Sequence, residues 1–119
     1  MRALATGLLA VALVAASPAL ARDLGGAYRV SGTNLDGTSY SGLATVTVIS
    51  DTTCVIEWET GSSAQGICMR HGDVFAAAYE LDGYFGLVVY DILADGTLRG
   101  TWTVTGEDGA GRETLTPIR

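Results

Sequence analysis

The stretch Gly83–Val104, GYFGLVVYDILADGTLRGTWTV, restricts the possible folds most severely. It reads as two apolar runs around the turn Ala94-Asp95-Gly96, a strong short-range hairpin signal. A three-residue loop with Gly96 in the left-handed position sets Asp91 opposite Arg99, Ile92 opposite Leu98, Tyr90 opposite Gly100 and Val88 opposite Trp102. Side chains alternate with period two, so a one-residue slip would lose the charge pairing and exchange the faces. The inner face is then Gly86, Val88, Tyr90, Ile92, Leu98, Gly100, Trp102 and Val104.

The rest of the chain repeats this grammar. Strands are expected at Tyr28–Gly32, Ser39–Ile49, Cys54–Thr60, Ser63–Arg70, Asp73–Leu81 and Glu113–Ile118, and no useful helical periodicity appears after the leader. Gly61 centred in a hairpin sets Cys54 against Cys68, close enough to bridge. His71-Gly72 read as a two-residue turn pairs Arg70 with Asp73, Cys68 with Phe75 and Ala64 with Tyr79. Asp82-Gly83 read as another pairs Tyr79 with Gly86, Ala77 with Val88 and Phe75 with Tyr90. Independent turns thus give Cys68, Phe75, Tyr79, Gly86 and Tyr90 one face, and twice a tyrosine lies opposite a mid-strand glycine that its ring can cover. About eight short strands in sequential order, with glycines where strands must bend, favour an up-and-down β-barrel; a β-sandwich or partly open roll is the alternative.

The chain opens with Arg2, the apolar run Leu4–Ala16 and Ser17-Pro18-Ala19-Leu20-Ala21. That is the pattern of a secretory signal peptide over residues 1–21, too short for a membrane span. Residues 22–119 are then a single all-β domain exported to the periplasm or beyond, where Cys54 and Cys68 would be oxidised. Acids outnumber bases 13 to 7, which disfavours nucleic acid and anionic membranes as partners.

The pattern Tyr28-x-Val30-x-Gly32-x-Asn34-x-Asp36-Gly37-x-x-Tyr40-x-Gly42, then Asp95-Gly96-x-Leu98-x-Gly100-x-Trp102 and Gly111-x-Glu113-x-Leu115-x-Pro117, resembles a group of small exported bacterial all-β proteins, some of them described as fibronectin-binding. The resemblance implies an adhesive role. In outline the barrel is also similar to avidins and lipocalins.

Catalytic signals are thin. The single histidine, His71, falls in an expected turn, no nucleophile elbow or His/Cys metal spacing occurs, and the acids Asp36, Asp95, Glu107 and Asp108 beside glycines read as turn residues. The expectation is a non-enzyme with no cofactor and no metal. Two binding surfaces stand out. Outward-facing Val74, Ala76, Ala78, Phe85, Leu87 and Val89 form an apolar patch fit for a protein partner or a second copy, which is the leading reading. Inward-facing Tyr40, Trp58, Phe75, Tyr79, Tyr90 and Trp102 form either a solid core, which is preferred, or an aromatic wall around a small apolar ligand. Glu113 points inward near one end and needs a partner, with Arg29 and Arg112 the candidates.

Overall fold

The computed structural model describes residues 23–119; the expected leader lies outside the described residues. Eight antiparallel strands follow one another around a closed barrel: β1 (Gly26–Thr33), β2 (Ser39–Val48), β3 (Thr53–Glu59), β4 (Ser63–His71), β5 (Val74–Leu81), β6 (Tyr84–Ile92), β7 (Leu98–Val104) and β8 (Gly111–Pro117). Closure comes from β8 pairing with β1, which removes both sheet edges. Among the described residues there is no helix, hence none long and apolar enough to cross a membrane.

Turn chemistry fixes the register. The β6–β7 loop is the expected one: Gly96 sits at φ +90°, its N–H donates to the Leu93 carbonyl, and Asp91 faces Arg99. Asp95 accepts from the Thr97 N–H, as Asp36 does from Thr38 in the β1–β2 loop, so the two Asp-Gly-Thr loops are built alike. The Thr38 hydroxyl first, and then its N–H, hold the Asp36 carboxyl below the usual carboxylate range, and the Thr97 N–H does the same for Asp95. Asp82 and Gly83 both adopt positive φ, 51° and 84°, the mirror-image turn that suits the twist of a hairpin.

The β4–β5 turn departs from expectation. Its two central residues are Gly72 and Asp73, with His71 paired to Val74 at the strand end. Gly72 takes φ +61° as the first central residue, the position where this turn type needs a glycine; His71-Gly72 would have put the glycine second. The register therefore moves by two. Cys68 faces Ala77, Gly66 faces Tyr79 and Arg70 faces Phe75, so Arg70 does not meet Asp73 across the ladder and its Nε instead donates to the Gly72 carbonyl. A shift of two keeps every side chain on its face, so the core assignment survives.

Cys54 and Cys68 are directly opposed and disulfide-bonded. Such a bond persists in oxidising compartments.

The interior is filled unevenly. At the end carrying the β2–β3, β4–β5 and β6–β7 loops, Val30, Ile56, Phe75, Tyr90, Leu98 and Leu115 are essentially inaccessible. Leu24 and Tyr28 close that end, the Tyr28 hydroxyl donating to the Leu24 carbonyl at 2.5 Å. Toward the other end the packing opens into a cavity.

Candidate functional site

The site is organised by a row of residues directly opposed across five strands. Tyr40 on β2 faces Gly32 on β1, which faces Glu113 on β8, which faces Gly100 on β7, which faces Tyr90 on β6. The bare glycines on either side of Glu113 leave room for the two tyrosines to lean inward over them. Both hydroxyls donate to the carboxylate, Tyr40 to Oε1 at 2.7 Å and Tyr90 to Oε2. From the opposite wall, Trp58 on β3 reaches across between the small neighbours Ala44 and Ala64 and donates its indole N–H to Oε2 at 3.0 Å. Glu113 is 6% exposed. Its partners are three neutral donors; Arg29 and Arg112, the expected partners, are exposed on the outer face.

Above this hub lies a cavity of about 290 Å³ opening between the β1–β2, β3–β4 and β5–β6 loops. Tyr40, Trp58, Tyr79 and Trp102 wall it, Val88 and Glu113 lie at its floor, and Asn34, Thr60, Ser62 and Leu81 rim it. The rings form two edge-to-face pairs, Trp58 with Tyr79 at 5.2 Å and Tyr40 with Trp102 at 6.3 Å. Three of the rings lie against glycine backbone, Tyr40 over Gly32 where an added Cβ would come within 2.2 Å of its Cζ. A Cβ on Gly86 would come within 2.1 Å of Tyr79 Cζ, and one on Gly111 within 2.3 Å of Trp102 Cε2.

The electrostatics follow from burial around one carboxylate. Desolvation, then the Glu113 charge, raises the phenols of Tyr40 and Tyr90 far above the usual range and pushes Tyr79 up to about 12. All three are therefore donors at neutral pH. The Trp102 Nε1 is buried and makes no hydrogen bond of good geometry among the described residues. It nevertheless lies near enough to the Tyr40 hydroxyl to favour the phenolate slightly against the larger opposing effects.

The expected inner residues thus divide. Tyr40, Trp58, Tyr79, Trp102 and Glu113 meet at the cavity. Phe75 and Tyr90 do not line it; they stack in the solid half with centroids 5.5 Å apart, and Tyr90 takes part only by supporting Glu113 from below. The interior therefore differs from the expected solid core: it is filled at one end and open at the other. Of the rim residues, Asn34 belongs to the pattern that carries the resemblance, while Thr60 and Ser62 are marked by nothing but their place beside a turn.

Outside, Val74, Ala76, Ala78, Phe85, Leu87 and Val89 share the face expected of them, with Ala76 opposite Val89 and Ala78 opposite Leu87. The patch is wider than the sequence suggested. Val55, Ile67 and Met69 extend it across β3 and β4, with Ile67 70% exposed and Phe85 68% exposed. A larger depression of about 620 Å³ at the barrel's other end, beside Asp23, is lined by loop residues and strand ends such as Val48 and Cys54, with no aromatic ring. Among the described residues no three His, Cys, Asp or Glu side chains come together.

No protein-family model matches the chain, and no curated protein matches its sequence. Solved structures of similar shape exist. One redesigned β-barrel matches with TM-score 0.71 and 17% identity over 81% of this chain and 92% of its own. The redesigned barrel mFAP1, bound to DFHBI, matches with TM-score 0.68 and 18% identity over 78% and 94%. A mutant of the fluorescent protein UnaG matches with TM-score 0.52 and 12% identity over 79% and 95%. At these identities the likeness concerns the fold.

Proposed function

We propose that the protein is a non-catalytic binder of a small organic molecule, held in the aromatic mouth of the barrel and anchored by Glu113. One observation carries the reading. The barrel is packed solid at one end, yet its other end keeps a cavity of about 290 Å³ with four aromatic rings and a buried carboxylate. A domain that needed only a core would gain by filling that space, since a small domain has little apolar surface to spare. The volume sits at the low end of ligand pockets, so the ligand is compact. Two similar barrels, mFAP1 and EF1p2_mFAP2b, are bound to the small molecule DFHBI. Export to the periplasm or beyond, the disulfide and the leader-like sequence fit a scavenger or carrier outside the cytoplasm.

The chain has two tryptophans, and both line the cavity. Tryptophan emission, excited selectively over tyrosine, therefore reports on this site alone. Titrating a panel of small organic molecules should reveal ligands that shift the emission saturably, and Trp102→Ala should stay folded but lose them. If every saturable ligand binds Trp102→Ala unchanged, the mouth is not the site.

A second reading rests on the outer face. An apolar patch across β3–β6 on an acidic protein fits a partner protein or a second copy. Leu87→Asp should then abolish assembly or partner capture; unchanged behaviour of that variant would remove this reading.

A further inference from the structure

Resting on the mouth cavity as a ligand site, we propose that its ligand is a small organic monocation of the alkylammonium class. The first ground is charge. Glu113 is buried, and no arginine or histidine lines the cavity it faces. A buried carboxylate is expensive unless compensated, and three neutral hydrogen bonds compensate it only in part. The chain's formal net charge of −6 adds a field that attracts cations to the opening.

The second ground is the count of lone pairs. A carboxylate offers about four acceptor positions, two on each oxygen. Trp58 and Tyr90 use both on Oε2, and Tyr40 uses one on Oε1. The unspent position is on Oε1, the oxygen bonded by the mouth residue Tyr40 rather than by the buried Tyr90. A group arriving through the mouth meets an acceptor that has a negative charge and a free lone pair.

The third ground is the wall. Tyr40, Trp58, Tyr79 and Trp102 surround the same space, and three of those rings, Tyr40, Tyr79 and Trp102, are backed by glycine on the wall side. Aromatic faces around an anionic group attract a desolvated organic cation through their quadrupoles. They offer nothing to a bare metal ion, which needs oxygen, nitrogen or thiolate ligands. A neutral apolar molecule would fill the volume but leave the carboxylate facing it uncompensated.

The test is isothermal calorimetry of the intact, disulfide-bonded domain with choline and with its uncharged carbon isostere, dimethylbutanol. Choline should bind at least about tenfold more tightly than the isostere, as one or two cation–π contacts and an ion pair imply. Glu113→Gln, isosteric and able to accept from Trp58 and Tyr90, should bring the two ligands within about threefold of each other. Equal binding of choline and isostere to the wild-type domain overturns the cation preference while leaving the cavity a ligand site. Binding of neither also overturns it, and the mass of any molecule retained by the host-purified protein then decides the cavity reading separately. Should the glutamine variant fail to fold, the wild-type comparison still decides.

Discussion

Replacing Glu113 by alanine removes the acceptor of three donors at once. The Trp58 indole and the Tyr90 hydroxyl are buried, so each is left without a partner at a cost of about 1–3 kcal/mol. Tyr40 is half-buried at the mouth, where water can replace the carboxylate. The two deep donors together cost about 2–6 kcal/mol, and relief of the buried charge offsets part of this, leaving a net of about 2–4 kcal/mol. For a domain of this size that lowers the melting temperature by on the order of 10 °C or more. Glu113→Gln keeps the shape: its amide oxygen accepts from Trp58 and Tyr90, and its nitrogen donates to the Tyr40 hydroxyl oxygen. Only charge assistance is lost, so about 1 kcal/mol should go. Urea unfolding followed by tryptophan fluorescence, with circular dichroism to confirm the native state, measures both. An alanine variant within about 0.5 kcal/mol of wild type, or a glutamine variant as unstable as alanine, would refute the hub.

Three further outcomes follow from the same geometry. Cys54→Ala/Cys68→Ala opens a link between residues 14 apart and should cost about 3 kcal/mol in denaturant unfolding while the far-ultraviolet spectrum is kept. Tyr40, Tyr79 and Tyr90 hold their protons above the unfolded value near 10, so between that pH and the folded values the unfolded chain binds fewer protons than the native one. The stability these phenols contribute should therefore be complete below about pH 10 and be lost as pH rises from there toward about 12, with buried phenolate absorbance appearing together with unfolding rather than ahead of it. Gly86→Ala forces Tyr79 off its wall, because the new Cβ would lie 2.1 Å from Cζ. That variant should lose about 1–3 kcal/mol and narrow the cavity, weakening ligands that shift tryptophan emission while Glu113 is untouched.

How much could be read from the chain depends on the range of the signal. Local turn chemistry settled the β3–β4, β5–β6 and β6–β7 registers, and with them the opposed cysteines and the Tyr–Gly pairs. The β4–β5 register failed because two adjacent residues compete for the turn, and only the backbone angle demanded of Gly72 chooses between them. Glu113 was legible as an inward acid but not its partners. Tyr40 comes alongside it only through the closing β8–β1 pairing, which no turn encodes, and Trp58 only by reaching across the closed lumen. Uneven filling of the interior was equally hidden. Phe75 and Tyr79 lie on one strand and one face, four residues apart, yet one is sealed in the core and the other lines the cavity. Their depth along the barrel is set by strand tilt and not by alternation.

The most direct test of the mouth cavity is native mass spectrometry of the protein purified from its own host under non-denaturing conditions. The account predicts a chain carrying one additional small organic mass, released on unfolding and absent from Trp102→Ala. A bare monomer would contradict it, and a ligand-free dimer that Leu87→Asp dissolves would move the function to the outer apolar face.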